Sequence, residues 1–507
     1  MAFAPVKLWY ELFPGYSAQQ IESLQQGKRG VELVKAQDVI SFPLGKIWTR
    51  PGFSKVRSSA ISGTPSITGM FHLGDLADEF ILWGSADGKP YRDNANPPGV
   101  LAGGTPFTTG ANVLVRGDIF NDKLITCSNA RDLPQTISAA AAWADLGGTP
   151  ARGVDVKAFA RRVCMFSPAY AGTTYRSFMS FTSANDDQTA WTAPVTINFL
   201  NFGRIGTDVN VLGGEFFIDH LMTFTEDAAF PVYATPNALL PLAFQDFAFS
   251  EDGGGPPNIH SVVKADNKLF WISKNSDVKV MLPDKSVHSI GFPIQPYLRT
   301  LADTRRIYTV GGWNPQYRMI TWSVTPNGGS TNTVVIDMPV DLLNLSQHRA
   351  AFYIHTLTRN AFANRTVGGQ SRQIGGGLAG YFYNEYDGSA TGNADDSTAI
   401  IDADVITPRF HLGLPDVKKK VTYCAIEFDP IATESVTVQY QLDDNQSWTS
   451  FPESPFVMTG TDKKIARFTI PAPFEDISIR IRDNNTGEAY RALRVGFPKP
   501  IALTVGR

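Results

Sequence analysis

The chain has 507 residues, with 45 Lys and Arg against 48 Asp and Glu, and a formal net charge of −3 at pH 7. Charged residues make up 18% of the chain and aromatic residues 11%, beside 44 glycines and 33 prolines. This composition excludes a disordered chain or a helical array and favours a turn-rich all-β protein, while the weak net charge argues against a protein that grips nucleic acid through many phosphates.

Helical signals are few along the chain. Residues 17–20 spell a capping box ahead of Ile21 and Leu24, and residues 136–146 predict a second helix that Gly147 and Gly148 close. Residues 342–348 are a third, shorter helical candidate.

The rest of the chain predicts short strands in hairpin pairs. The units recur about 40 to 50 residues apart, which is the repeat length of four-stranded propeller blades. We therefore predict an all-β fold whose main part is a β-propeller of six to eight blades with weak repeats; a series of two-sheet sandwiches is the structural alternative. The hairpin pairs are residues 80–83 with 90–92, 119–120 with 123–127, 163–166 with 175–181, 216–218 with 221–224, 262–263 with 269–272, and 306–310 with 318–322.

The pattern changes near Asp404. A small polar segment, residues 389–398, precedes this point, and clean alternation of apolar and polar residues follows it, as in an antiparallel β-sandwich with one solvated side. We predict three parts: residues 1–55 joining a platform, residues 56–404 forming the propeller, and residues 405–507 forming a C-terminal β-sandwich platform.

Sequence motifs for catalysis or cofactor binding are weak. Residues 375–380 spell GxGxxG, but a strand pattern follows instead of the helix that a dinucleotide site needs. The seven histidines lack metal-site spacing, and no GxSxG elbow is present. Adjacent acids such as Asp186 and Asp187 are typical of turns. We therefore predict no catalytic, cofactor-binding or metal-ligating residue, and not an enzyme.

The cysteines and the hydropathy pattern bear on location. Cys127, Cys164 and Cys424 are odd in number and far apart, which predicts neither a disulfide framework nor a metal site and favours synthesis in a reducing compartment. The N-terminus lacks a signal-peptide core, and no apolar run is long enough to cross a membrane. We expect no membrane span.

Residues 441–448 resemble the Asp-box hairpin of sialidase-type β-repeat proteins. Asp444, Ser447 and Trp448 fit that pattern, and Asn445 replaces the usual glycine. In such a box the tryptophan packs beneath a β-turn, so the resemblance implies a buried indole at position 448 and a structural role only.

A second resemblance concerns the whole layout. Residues 45–53 include Arg50, Pro51 and Gly52 in a GK…RPGF entry motif, and an aromatic-rich propeller and a C-terminal sandwich follow. This order resembles the tail nozzle, also called the tail hub or packaged-DNA-stabilisation protein, of short-tailed bacteriophages of the P22 type.

This resemblance implies a structural virion protein. It implies a ring, usually a homohexamer, between a head-to-tail adaptor protein above and a tail needle, fibre or tailspike below. It further implies a channel that retains the packaged double-stranded DNA and passes it during ejection, without specific binding. The implied location is the virion tail, with the host cytoplasm as the place of assembly.

Two other functions fit the same sequence. Aromatic propeller loops also bind sugars, so a receptor- or glycan-binding tail protein is the closer alternative. A sialidase-like glycan hydrolase, which needs an arginine cluster and a Tyr–Glu nucleophile pair, is the more distant one. Tyrosine and arginine are plentiful in the chain, but no ordered series of Asp boxes supports this function.

Overall fold

The structure of the chain is a computed structural model. The structure describes residues 6–11, 33–41, 47–73, 79–138, 143–192, 195–203, 209–245, 254–347, 350–367, 370–387, 394–395, 399–412, 417–429, 433–443, 445–459, 463–483, 491–498 and 501–502.

Strands dominate the described chain, and the first five precede the propeller repeats. They are β1 (Val6–Glu11), β2 (Lys35–Gln37), β3 (Val39–Ile40), β4 (Ile47–Thr49) and β5 (Ser54–Lys55).

Seven antiparallel four-stranded units follow within the described residues, and we call them blades 1 to 7. Blades 1 and 2 are β6 (Ile67–His72), β7 (Phe80–Gly84), β8 (Pro90–Arg92), β9 (Gly99–Val100), and β10 (Val115–Phe120), β11 (Lys123–Ser128), β12 (Gln135–Ser138), β13 (Trp143–Asp145). Blade 3 is β14 (Asp155–Phe159), β15 (Arg162–Phe166), β18 (Phe178–Phe181) and β19 (Phe199–Asn201), with a small hairpin of β16 (Ala169–Tyr170) and β17 (Thr173–Thr174).

Blades 4 to 7 repeat the same order. Blades 4 and 5 are β20 (Val211–Phe217), β21 (His220–Thr225), β22 (Ala229–Ala234), β23 (Leu242–Phe244), and β24 (Val263–Ala265), β25 (Lys268–Ile272), β26 (Val278–Met281), β27 (Val287–Ser289). Blade 6 is β28 (Val310–Asn314), β29 (Met319–Val324), β30 (Val334–Pro339) and β31 (Tyr353–His355); blade 7 is β32 (Ala361–Val367), β33 (Gln370–Gly376) and β34 (Phe382–Asn384), completed by β5.

The first strand of each blade, here called the inner strand, lies against that of the next blade. The contacts run from β6 through β10 and β14 to β20, and from β20 to residues 259–261. These residues and β24 both contact β28, which contacts β32, and β32 contacts β6. Strand β5 closes the circle, because the chain before blade 1 supplies the outer strand of blade 7. The predicted propeller is therefore confirmed, with seven blades.

Two-residue turns join the first two strands of several blades. Asn121 and Asp122 both have positive φ, as do Asp266 and Asn267. Positive φ at both central residues defines the type I′ turn, whose twist matches paired strands, and Asn and Asp tolerate it well. The polar turns that the sequence predicts are thus the blade hairpins.

The remaining strands lie in the platform, a two-sheet sandwich, and in two separate two-stranded sheets, Ala394–Asp395 with Ala399–Ile400 and Lys419–Lys420 with Ile501–Ala502. They are β35 (Ala394–Asp395), β36 (Ala399–Ile400), β37 (Ala403–Ile406), β38 (Lys419–Lys420), β39 (Tyr423–Phe428), β40 (Glu434–Leu442), β41 (Thr449–Ser450), β42 (Phe456–Met458), β43 (Lys464–Thr469), β44 (Ile477–Asp483), β45 (Arg491–Pro498) and β46 (Ile501–Ala502).

Strands from both ends of the chain share these platform sheets. One sheet has the order β3-β4-β45-β39-β43, and β1 also pairs with β45. The other has the order β2-β37-β44-β40-β41, with β42 on β40. Apolar side chains of both sheets, including Ile47, Ile426, Val438 and Phe497, form one buried core between them.

Strand β2 joins the platform to the propeller. It pairs in parallel with β31 of blade 6 and antiparallel with β37. Blade 6 and the second platform sheet are therefore one continuous β-sheet. The ranges differ in detail from the sequence division, because Ser54 and Lys55 pair inside blade 7 and residues 403–404 already belong to platform strand β37.

Helices are short and few among the described residues. They are α1 (Gln295–Thr300) and four 3₁₀ segments, Ile259–Ser261, Asp303–Tyr308, Val340–Leu342 and Leu345–Gln347. The helix predicted over 136–146 is wrong, because Ile137 and Trp143 pair across β12 and β13 and are buried in blade packing that outweighs local propensity. The capping box at residues 17–20 lies outside the described residues.

Candidate functional site

A cavity of about 470 Å³ lies at one mouth of the propeller, and we call it the axial cavity. It opens where the inner strands of blades 2 to 6 begin. Its lining comprises Asn112, Val113, Asn129, Arg131, Val154, Asn210, Val211, Leu212, Pro257, Asn258, Ile259, His260, Ile307 and Tyr308. A smaller cavity of about 70 Å³ continues along the inner strands, and His260 borders both.

A charge network holds the inner strands of blades 2, 3 and 4 together. Arg116 Nε donates to Asp155 Oδ1 at 3.2 Å, and Arg116 Nη2 lies 3.5 Å from Glu215 Oε2. Lys157 Nζ also donates to Glu215 Oε2, at 2.8 Å. Two cations and two carboxylates therefore alternate across three neighbouring blades.

The pKa shifts show how these charges depend on one another. Burial opposes the charge of Arg116, but Asp155 and Glu215 outweigh burial and raise the pKa of the guanidinium. Burial likewise works against ionised Glu215, but Lys157 and Arg116 hold the pKa of its carboxyl below the usual value. Arg116, Lys157 and Glu215 are thus kept charged inside the propeller by their neighbours.

Gly213 and Gly214 permit this close approach. Strand β20 has an irregularity after Val211, and Gly213 has a φ of 150°. A Cβ at Gly213 would lie 2.5 Å from Asp155 Oδ2, and the backbone N–H of Gly214 donates to that oxygen at 2.9 Å. The glycine pair is the sequence signal of close backbone approach that could have pointed to this region.

His260 lies at the floor of the axial cavity. Its side chain is buried, with 7% exposed, and its Nε2 has no hydrogen-bond partner among the described residues. Burial first, and the charge of Arg116 second, lower the pKa of the imidazole well below its usual value. His260 is therefore a neutral imidazole with a free nitrogen next to a cavity.

A second polar cluster lies where blade 6 meets the platform, and we call it the joint. Arg50 Nε donates to Asp38 Oδ1 at 2.9 Å, and both side chains are buried. His355 lies between two carboxylates, with Nδ1 3.8 Å from Asp38 Oδ1 and Nε2 3.2 Å from Asp337 Oδ2. Tyr386 donates its hydroxyl to Asp337. These contacts connect the N-terminal segment with blade 6 and with the end of blade 7.

The entry motif around Arg50, Pro51 and Gly52 belongs to this joint. Pro51 is half-buried and Gly52 buried. Phe53, the next residue, lies 4.4 Å from the guanidinium of Arg359, which the ring of Tyr383 contacts at the same distance. Arg359 in turn pairs with buried Glu385. The motif therefore fixes the chain as it passes from the platform into the propeller.

The Asp-box-like residues lie in the turn between β40 and β41. Asp444 lies outside the described residues; Ser447 is exposed, and its N–H donates to Asn445 Oδ1 at 3.0 Å. The expected burial of the Trp448 indole is wrong. Trp448 is half-buried, because its ring faces Arg480, 5.9 Å away, instead of the core between the sheets. Among the described residues, no contact joins Ser447 or Trp448 to Arg50, Pro51 or Gly52.

The structure also shows where the glycine-rich GxGxxG segment and the three cysteines lie. Residues 375–376 end β33, and the glycine-rich remainder is the turn to β34. Cys127, Cys164 and Cys424 are buried free thiols. The described part of the chain holds no group of three or more His, Cys, Asp or Glu side chains placed to bind a metal ion. No described helix is long and apolar enough to cross a membrane.

Comparisons with known proteins give structural likeness only. No protein-family model matches the chain, and a search of the curated proteins gives no match. Among solved structures, BBS1N in complex with ARL6DN covers 68% of this chain and 99% of its own, at 12% identity and a TM-score of 0.41. The Neurospora crassa Pan2 WD40 domain covers 67% and 94%, at 9% identity and a TM-score of 0.39.

A third solved structure extends over more of the chain. It is the extracellular domain of a hybrid two-component system from B. thetaiotaomicron, which covers 86% of this chain and 61% of its own, at 9% identity and a TM-score of 0.42. All three TM-scores are below 0.5, so the propeller is assigned here from its own strand pairing and inter-blade contacts.

Proposed function

We propose that this chain is a structural virion protein, a ring-forming tail nozzle that closes a head–tail channel, retains packaged DNA and passes it during ejection. The observation that carries the proposal is the platform built from both ends of the chain. Its sheets take strands from residues 6–49 and 403–498, and the propeller is a closed insertion between these two segments.

The joint supports a mechanical role. A shared strand, β2, and the buried Arg50–Asp38 pair hold the propeller at a fixed position on the platform. Buried ion pairs with completed hydrogen bonds favour one arrangement over others, since any other arrangement leaves a charge unpaired. A ring component must present the same geometry in every copy, because each subunit repeats the contact of its neighbour.

The platform also offers a surface for contact between subunits. Strand β43 ends its sheet and has no partner on its outer side among the described residues. Ile465 on β43 and Val457 on β42 are large apolar side chains that are more than half exposed. Open strand edges with exposed apolar residues are pairing surfaces, so the ring contact is proposed along β43.

The net charge suits a channel through which DNA slides. At −3 per chain, six copies carry a charge of about −18, which repels a polyanion instead of holding it. Proteins that hold DNA do so by neutralising phosphates with Lys and Arg, and this chain has no excess of either.

Electron microscopy and DNA retention test the proposal together. The purified chain, alone or with a head-to-tail adaptor ring, should form a closed ring with a central channel. Particles that lack the protein should package DNA and then lose it, and added protein should restore retention. Particles that keep their DNA and lose only attachment to host cells contradict the proposal and favour the receptor-binding alternative.

A further inference from the structure

The axial cavity has the size and lining of a small-molecule site. Its volume of about 470 Å³ is within the range of roughly 300–1,000 Å³ that ligand pockets occupy. Apolar side chains such as Val113, Leu212 and Ile259 alternate in its lining with amides such as Asn129 and Asn210. A ligand with both apolar faces and several hydroxyl groups matches such a lining.

The charge of the cavity is positive. Arg131 is its charged lining residue, and no carboxylate contributes to the described lining. Arg131 donates from Nε to the carbonyl oxygen of Ser167 at 2.9 Å and from Nη2 to Ser167 Oγ at 2.8 Å, so its side chain is fixed while Nη1 has no hydrogen bond in the described structure. Asp132, the adjacent acid, accepts hydrogen bonds from Thr108 and Ser128.

A second arginine stands at the rim. Arg176 is exposed, and its carbonyl oxygen accepts a hydrogen bond from the N–H of Val211, a lining residue, at 2.8 Å. Burial first, and the charge of Arg176 second, lower the pKa of Arg131, so the two guanidinium groups repel each other. An anion held between them relieves this repulsion.

His260 adds an unsatisfied polar group at the floor. Its Nε2 is buried and unpaired in the described structure, which costs free energy until a partner occupies the site. As a neutral imidazole it has one donor and one acceptor nitrogen, which suits a hydroxyl group better than a carboxylate.

We propose that the axial cavity binds a carboxylate-bearing sugar, with its carboxylate at Arg131 and Arg176 and its hydroxyl groups toward His260 and the asparagine amides. Arginine recognises carboxylates through paired N–H donors, which fixes the orientation of the acid group. The inference goes beyond the nozzle role and does not depend on it, because the whole cavity lies within one chain.

Titration calorimetry or ligand-detected NMR on the full chain tests this site. The probes are glucuronic acid, galacturonic acid and N-acetylneuraminic acid, with methyl glucoside and sodium acetate as comparisons. At least one acidic sugar should bind more tightly than both comparison compounds. Equal binding of methyl glucoside overturns the anionic part of the proposal, and equal binding of acetate overturns the sugar part.

Variants locate the binding. Arg176→Gln removes an exposed rim charge without disturbing a buried contact, and Arg131→Gln removes the fixed one; each should weaken binding about tenfold or more, as loss of a charge-assisted hydrogen bond does. Arg467→Gln, an exposed arginine on platform strand β43, is the matched control and should bind as the unchanged chain does. Unchanged affinity in both the Arg131 and Arg176 variants overturns the site, as does absence of binding by all three acids at about 10 mM.

Discussion

Arg50 shows how one residue of a short motif acts through the three-dimensional structure. The sequence marks it only as part of a GK…RPGF entry motif, but the structure buries it to 2% exposure against Asp38. Asp38 has a φ of 52°, which an aspartate tolerates, and its carboxylate contacts both Arg50 and His355. The role of Arg50 in this motif is therefore structural, because it holds the joint between the platform and the propeller together.

Arg50→Met should destabilise the chain by about 3–5 kcal/mol, because it leaves the carboxylate of Asp38 buried without its cation. The free energy of unfolding, measured with urea, checks this value. Asp38→Asn combined with Arg50→Met should recover part of the loss, since neither partner is then charged, and Asn tolerates the positive φ. A loss below about 1 kcal/mol in the single variant contradicts a buried pair.

Trp448→Ala should cost about 1–2 kcal/mol of stability. The half-buried indole loses part of its apolar contact and its contact with Arg480, but no core cavity forms. A fully buried tryptophan, as the Asp-box resemblance implies, would cost about 3–5 kcal/mol. Thermal unfolding of the variant separates the two values.

At the scale of elements, an ion-pair cluster stabilises the sheet that β2 connects. Lys35 Nζ donates to Asp404 Oδ2 at 2.6 Å, and Arg480 donates to both oxygens of that carboxylate, at 2.8 and 2.7 Å. These three residues lie on β2, β37 and β44, three neighbouring strands of one sheet. Burial alone would raise the pKa of Asp404, but Arg480 and Lys35 outweigh it and lower that pKa.

The lowered pKa sets the pH dependence of this cluster. Its stabilisation is fully present above the pKa of an aspartate in the unfolded chain, about 3.9, and is lost as the pH falls through the lower folded value. Asp404→Asn should cost about 1.5–3 kcal/mol at neutral pH, the range for hydrogen bonds to charged groups. The difference from the unchanged chain should shrink below about pH 4, measured by urea unfolding across pH; a constant difference contradicts this role of Asp404.

The local sequence pattern predicts the hairpins of the blades, but it does not predict the joint between blade 6 and the platform. Blade hairpins join residues close in sequence, so alternation and polar turns such as Asn121–Asp122 indicate them directly. Strand β2 has only three residues and pairs with partners more than 300 positions away, so no local signal identifies it. The axial cavity was missed for the same reason, since Arg131 and His260 come from different blades.

The whole molecule has two surfaces that the proposed ring would use differently. The propeller carries its exposed apolar residues at scattered blade positions, such as Val100 on the outer strand of blade 1. The platform carries Ile465 on a strand that ends its sheet. With nearly balanced charge, attraction between subunits must come from apolar and backbone contacts, and β43 supplies both.

Ile465→Asp should therefore disrupt the ring and leave the fold intact. The new charge stands on the exposed face of an edge strand, where it opposes pairing with a second chain but costs the monomer little. Val100→Asp is the matched control, because Val100 is 54% exposed and Ile465 is 52% exposed. Light scattering after size exclusion, at equal protein concentration, should show the ring mass for the control and a smaller species for Ile465→Asp. Rings of unchanged mass in both variants contradict a ring contact through Ile465. Loss of the ring in the Val100→Asp control alone indicates a contact through the propeller.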